Sequence, residues 1–314
     1  MTRFRYADKL TCAYLYPISK YGYPPDARQT VAHIEEMSRM GFSSIELEGI
    51  GEENIRYLYQ HRAEIAESLA ANDCAVPVFC VVLPQLGSGD ASQQLKSLEL
   101  FDMGCETAQF LGAEGVLDNG PLIPLEYPAD LPIMRHYSAE HLSSPGLPAG
   151  FNWNTYWENL TNTYKKVCNI AAKYHLVYHL HPCEGSLITG TDSFINFSEA
   201  VGCDNLHFNL DTANQFYSKD NLPLSVIRLG KKITYIHISD NRGTKVEHLV
   251  PGDGNIYWQG FFEALQQTGF NGHLAIDVGG AETGIQHLDE AYHRSAAWLQ
   301  EKIGLFLPHN NQIN

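Results

Sequence analysis

Apolar and polar positions follow a two-part rhythm along the chain. A short apolar run ends in polar or glycine-rich residues, and a stretch with helical spacing follows. Runs at Cys12–Tyr16, Ser44–Leu47, Val76–Val82, Gly115–Leu117, Val177–Leu180, Leu206–Leu210, Thr234–Ile238 and Leu274–Ile276 predict eight strands. The early runs recur about every 35 residues, which suits one strand–loop–helix–loop unit each. Between them Ile55, Leu58, Ile65 and Leu69 keep a helical register, as do Leu95, Leu98, Phe101, Cys105 and Ala108. Gly41 and Gly112 stand where a helix should stop and the next strand begin.

Eight such units predict an α/β fold, a (β/α)8 TIM barrel forming a single domain over residues 1–314. A doubly wound sheet is the alternative, but no Gly-x-Gly-x-x-Gly turn follows any strand. One interval breaks the rhythm, since the fourth and fifth strands lie about 60 residues apart, far beyond an ordinary loop. The segment Asp118–Asn152 holds prolines at 121, 124, 128, 132, 145 and 148. This proline-rich insertion, 118–152, sits on a strand-to-helix loop, the side where barrel enzymes bind ligands. It is expected to be a lid or an interface. The next helix should begin near Asn154, with Trp157, Leu160, Tyr164 and Val167 on its buried side.

Four strand ends in the second half carry metal-ligand chemistry. The fifth reads Val177-Tyr178-His179-Leu180-His181-Pro182, and strand alternation puts His179 and His181 on one face. The sixth ends in Asp211, the seventh carries His237 before Ile238-Ser239-Asp240, and the eighth ends in Asp277. Neighbouring strand ends converge in a barrel, so His181, Asp211, His237 and Asp277 are expected to surround one ion. Mixed imidazole and carboxylate ligands suit Mn²⁺, Fe²⁺, Co²⁺ or Zn²⁺ better than Ca²⁺. His179 and His207 read as hydrogen-bonded structural histidines.

Composition narrows the partners. With 314 residues, 44% hydrophobic and 18% charged, the chain can bury a large core. A net charge of −15 and a pI near 5.3 repel phosphate backbones and anionic bilayers, so neither nucleic acid nor membrane is expected. The most apolar stretch, Cys74 to Leu86, is interrupted by Pro77 and Pro84 and is shorter than the roughly 18 residues a span requires. Seven cysteines without a Cys-x-x-Cys pair, and no apolar run at the start, suggest reduced thiols in a cytoplasmic protein.

A family resemblance rests on Asn209-Leu-Asp-Thr-Ala-Asn, Ile236-His-Ile-Ser-Asp-Asn-Arg, Pro251-Gly-Asp-Gly-Asn-Ile and Gly269-Phe-Asn-Gly-His-Leu-Ala-Ile-Asp. With Gly41-Phe-Ser-Ser-Ile-Glu-Leu and Leu111-Gly-Ala-Glu-Gly-Val upstream, the chain resembles the xylose-isomerase-like TIM barrels. These are the sugar isomerases and epimerases related to D-tagatose 3-epimerase and inosose dehydratase. The resemblance implies one divalent ion held at strands five to eight by Glu, Asp, His and Glu, with the two Glu exchanging the substrate proton. Asp211 and His237 match their positions. His181 stands where the first Glu is expected, Asp277 where the second is, and Asn214 replaces a frequent His. The His-x-His strand is closer to the inosose dehydratase branch.

The resemblance therefore implies a divalent-metal-dependent sugar isomerase or epimerase. It would work by proton abstraction next to a carbonyl, with a metal-stabilised enediolate. Mn²⁺ is the favoured ion, with Mg²⁺, Co²⁺, Fe²⁺ and Zn²⁺ as alternatives. His181 and Asp277 are the catalytic candidates, joined by Glu184, which lies just past strand five. Arg242, Asp240, Glu46 and Asn214 are candidate substrate contacts; Tyr14 or Tyr16, Trp153 and Trp157 are further ones near the pocket mouth. The partner is expected to be a small sugar or cyclitol, unphosphorylated because no glycine-rich phosphate cradle is present. Copies of the chain are expected to associate as a homo-oligomer, a hetero-oligomer being the alternative. Two other readings stand beside the isomerase: a lyase or dehydratase on a keto-sugar, keto-glycoside or keto-inositol, and a non-catalytic sugar-binding or partner subunit. A DNA-repair endonuclease on the same barrel is disfavoured by the charge.

Overall fold

The computed structural model describes residues 4–128 and 131–307. Its strand segments are β1 (Leu10–Cys12), β2 (Ser44–Ile45), β3 (Leu47–Ile50), β4 (Val78–Val82), β5 (Gly115–Asn119), β6 (Val177–His181), β7 (Leu206–Asp211), β8 (Tyr235–Ile238) and β9 (His273–Ile276). They are ordered β2-β1-β9-β8-β7-β6-β5-β4-β3, and every pairing is parallel. β2 and β3 are halves of one strand, divided at Glu46. The first half pairs with β1 and the second with β4, so the two ends of the sheet meet on a single strand. The result is an eight-strand TIM barrel in one domain, with helices outside, as the apolar rhythm predicts.

Closure fixes which strands face each other. Counting either way round the ring, β7 lies four strands from β3. Side chains pointing inward from the second strand therefore confront those of β7 across the lumen.

The helices match the apolar spacing with local differences. Ile55 and Leu58 are buried on the helix Gly51–Gln60, and Ile65 and Leu69 on the helix Arg62–Ala71, the two separated at His61. The helix Ala91–Phe110 buries Leu100, Phe101, Cys105 and Ala108, whereas Leu95 is exposed. Asn152 caps the helix Trp153–Lys173 by accepting the Thr155 N–H at 3.0 Å. Gly41 and Gly112 end their helices with φ of +100° and +79°, a conformation that costs other residues energy. Among the described residues, no helix is long and apolar enough to cross a membrane.

Several strand boundaries differ from expectation, those of β1 and β5 among them. β1 stops at Cys12 because the chain turns into a helix at Leu15–Tyr21, and an apolar run alone does not separate strand from helix. β5 instead runs on to Asn119. Buried Asp118 accepts backbone N–H bonds from Leu83 at 3.2 Å and Asn119 at 2.7 Å, and burial raises its pKa to about 8. The proline-rich loop thus leaves the barrel after Asn119 and contains one short helix, Ala139–Ser143.

The lumen below the strand ends is filled by Ala13, Val78, Cys80, Leu117, Tyr235 and Ala275. His179 sits with them, its Nε2 2.9 Å from Thr234 Oγ1, and His207 Nδ1 is 3.2 Å from the same hydroxyl. Both are the hydrogen-bonded structural histidines the strand pattern suggests. Burial, and then His207, lower the pKa of His179 to about 3, so it folds neutral. The unfolded chain binds a proton at His179 that the native state refuses, so this residue makes stability fall as pH drops from about 6.5 towards 3. The stability advantage of wild type over His179→Gln is expected to shrink by about 1.4 kcal/mol per pH unit between about pH 6 and 4. Urea melts of both proteins across that range measure the slope; parallel curves would show that His179 is not buried neutral.

Candidate active site

A pocket of about 550 Å³, open mouth included, lies at the C-terminal ends of the strands. His181 closes β6, Asp211 closes β7, His237 lies near the end of β8, and Asp277 follows β9. The barrel thus brings together the four residues that the strand ends suggest as ligands. His181 Nε2 is 3.0 Å from Asp211 Oδ2, and His237 Nδ1 is 3.9 Å from Asp277 Oδ2. His248, which the strand pattern does not mark, joins them from the loop after β8. Its Nε2 lies 3.8 Å from Asp211 Oδ2 and 3.7 Å from Asp277 Oδ2. Two groups sharing Asp211 could hold a metal ion here: His181, Asp211 and His237, and Asp211, His248 and Asp277, each with ligand atoms within 4.8 Å.

Four of the ligand candidates are oriented from behind. His237 Nε2 donates to Glu46 Oε2 at 3.0 Å, while its buried Nδ1 has no hydrogen-bond partner. His181 Nδ1 is held by Asn119 Oδ1 at 3.0 Å. Asn214 donates its side-chain N–H groups to Asp211 Oδ2 at 2.9 Å and to the Pro182 carbonyl at 3.1 Å. His248 Nδ1 is 3.3 Å from Glu282 Oε1. Burial opposes charge on these groups, yet the partners prevail. Asp211 is held well below the usual carboxylate range by His181 and His248. His237 is raised to about 9 by Glu46 and Asp277, and His248 to about 9 by Asp211 and Glu282.

Several candidate contacts take other roles. Glu46 faces the pocket but is 2% exposed, and it accepts from Tyr14 N–H, Tyr235 Oη and His237. It supports His237 and has no donor-free edge for substrate. Asn214 likewise steadies Asp211. Arg242 lies on the half-exposed loop surface and pairs with buried Glu247 at 3.0 Å. Glu184 is outside the pocket lining and faces Tyr217, because the chain turns away at Pro182. Tyr14 and Tyr16 turn outward to His33, and to Asp289 and Glu36, so Leu15 and Ile18 line the pocket instead. Trp153 and Trp157 stack on each other on the outer helix, with ring centroids 5.5 Å apart.

The structure adds residues that periodicity did not flag. Arg135 and His136 of the proline-rich loop line the pocket, and Arg135 Nη1 pairs with Glu282 Oε1 at 2.9 Å. Glu48 lines it from β3. Its spacing of two from Glu46 was the available signal, since alternate strand residues share a face.

A family model for the xylose isomerase-like TIM barrel matches residues 34–302. An inosose dehydratase of Yersinia enterocolitica serotype O:8 / biotype 1B is 24% identical over 145 residues, 40% of this chain and 48% of that protein. An inosose dehydratase of Clostridium perfringens is 21% identical over 168 residues, 48% of this chain and 56% of that protein. The chain thus spans about half the length of the curated relatives it matches. The fold is similar to that of D-allulose 3-epimerase from Methylomonas sp., with TM-score 0.71 and 15% identity over 96% of this chain and 100% of that one. It is also similar to 3-keto-D-glucoside 4-epimerase from E. coli, with TM-score 0.68 and 16% identity over 93% and 99% of the two chains.

Asp240 organises the loop that delivers His248. Fully buried, its carboxylate accepts from the N–H groups of Asn241, Gly252 and Ile256 and from Trp258 Nε1, at 2.8 to 3.1 Å. It is a loop anchor and not a sugar contact. Removing it leaves buried donors without acceptors, each costing about 1–3 kcal/mol. Asp240→Ala is expected to lose about 3 kcal/mol or more of stability by chemical denaturation. A loss below 1 kcal/mol would show that the loop holds itself.

Proposed function

The chain belongs to the xylose isomerase-like TIM barrel family, and on that footing we propose that it is a divalent-metal-dependent enzyme that isomerises or epimerises a sugar or keto-sugar. The observation that carries this reading is the convergence of His181, Asp211, His237, His248 and Asp277 at the strand ends. The donor set fits an ion. His237 Nδ1 is buried, unpartnered and turned from Glu46 towards the acids. His181 Nε2 and Asp211 Oδ2 lie 3.0 Å apart, close enough that both would hold one ion together with His237.

These residues would hold a divalent ion, whose positive charge would polarise a carbonyl and steady the oxyanion formed when the neighbouring carbon loses its proton. The chain's own groups do the rest. Glu46, Asn119, Asn214 and Glu282 fix the ligand side chains, which spares reorganisation during the reaction. Arg135 is the one Lys or Arg among the described lining residues, and Glu282 already neutralises it, so an uncharged sugar suits the pocket better than a phosphate ester. The proline-rich insertion acts as a lid in this reading, carrying Arg135 and His136 over the mouth and excluding water.

Elimination is the second reading, favoured by the likeness to the two inosose dehydratases. It shares the first proton removal and differs in what leaves next.

Purified protein is expected to carry about one divalent ion per chain, Mn²⁺ preferred, and to exchange the α-hydrogen of a keto-sugar for deuterium only when loaded. Asp211→Ala and His237→Ala should each strip the ion without unfolding the chain. Elemental analysis reads this directly, and unchanged metal in both variants removes the proposed centre. Glu46→Gln keeps the shape but weakens the hold on His237, so metal affinity should fall about 10- to 100-fold in a chelator competition. Affinity equal to wild type would show that Glu46 has only a structural part.

A further inference from the structure

The site has ligands in place but lacks an obvious proton carrier. Once His181 binds the ion its ligating electron pair is engaged, Asp277 reaches one methylene less far than a Glu, and Glu46 has three donors on its carboxylate. Glu184 lies outside the pocket. The thiols of Cys80 and Cys183 face the pocket but burial raises both, so they stay protonated. Glu48 is different. Its side chain lines the pocket from β3, and among the described residues its carboxyl has no hydrogen-bond partner. β3 stands opposite β7, so substrate bound at Asp211 lies between the ligand cluster and Glu48.

We propose that Glu48 is the catalytic proton-transfer residue, acting from the wall opposite Asp211; this rests on the isomerase reading above. The α-carbon–hydrogen bond breaks and its proton moves to the Glu48 carboxylate. The electron pair becomes the carbon–carbon double bond of an enediolate, with negative charge on the former carbonyl oxygen. The new carboxylic acid then returns a proton, to the same carbon for exchange or to the neighbouring carbon for isomerisation, in which case the hydroxyl proton on the α-carbon passes to the former carbonyl oxygen as a new carbonyl forms. No oxidant or co-reactant is required.

The surroundings suit this task. Burial, then Glu46, raise the Glu48 carboxyl to about 8, while Arg135 and His237 oppose the rise and Asp277 adds to it. Tyr23 and Cys80 also face it from the pocket lining, and Tyr14 lies within its electrostatic reach, all neutral near pH 7. A group poised this close to neutrality transfers protons well in both directions.

The test uses full-length, Mn²⁺-loaded protein in deuterated water with D-fructose, D-psicose, D-tagatose and an inosose, followed by NMR. Wild type is expected to exchange the α-hydrogen of at least one of them, at a rate that rises with pH as Glu48 loses its proton. Glu48→Gln should retain its ion and melting temperature, slow exchange by about 100-fold or more, and lose the rising limb. His136→Ala should keep that limb, because His136 is a lining imidazole whose ring nitrogens make no hydrogen bond among the described residues and it is not the proposed proton carrier. Exchange at the wild-type rate in Glu48→Gln overturns this assignment alone, and so does loss of the limb in His136→Ala instead. Loss of the ion in Glu48→Gln makes Glu48 a structural support and also overturns it. A wild-type protein that exchanges none of the substrates overturns the isomerase reading and this assignment with it.

Discussion

The buried carboxylate of Glu46 is the interaction on which both the barrel and its site depend. A charge this far from water survives only with donors around it. Three arrive from different places: the Tyr14 N–H beyond β1 at 3.0 Å, the Tyr235 hydroxyl of β8 at 2.8 Å, and His237 Nε2 at 3.0 Å. Burial alone would raise its pKa, but His237, Tyr14 and Tyr235 together lower it. Glu46 is also the point where the second strand changes neighbours, its own N–H bonding Cys12 O at 2.9 Å. The residue that closes the sheet is therefore the one that turns His237 Nδ1 towards the pocket.

The same device recurs around the ring. Asn119 orients His181, Asn214 orients Asp211, and Glu282 backs His248. Each support comes from a different strand end or loop, so the cluster is stiff only when the whole barrel mouth is assembled. Glu282 is held well below the usual carboxylate range, against its burial, by His136, His248 and Arg135. Through that pairing the proline-rich loop touches the site at one remove, and a change in the loop reaches His248 without any direct contact with substrate.

Opposed walls divide the chemistry. The candidate ligands stand at the ends of β6 to β9 and on the loop after β8, with His181 hydrogen-bonded to Asp211 and His237 Nδ1 left without a hydrogen-bond partner. The second strand supplies two glutamates of opposite electrostatic character only two residues apart. Glu46 is hydrogen-bonded and ionised, whereas Glu48 has no hydrogen-bond partner among the described residues and is pushed up to about 8. Burial acts on both; the donors around one and not the other separate them.

The sequence by itself determined the barrel and four of the ligand candidates. Strand alternation and the outlet position of His181, Asp211, His237 and Asp277 are periodic properties, and parallel strands of a closed ring must bring their C-terminal ends together. It also marked the proline-rich excursion after the fourth strand. Only the tertiary structure decided the rest. His248, Arg135 and Glu282 lie on loops, where no period says which way a side chain points. Asp240, Arg242 and Glu184 follow strand ends as closely as the ligands do, yet one anchors a loop, one pairs at the surface and one faces Tyr217. Glu46 and Glu48 share a strand face, and what separates their electrostatics is the set of donors supplied by Tyr14 beside the strand and by Tyr235 and His237 of β8. Such partners are more than a hundred residues away in the chain for Tyr235 and His237, and only closure of the ring makes them neighbours.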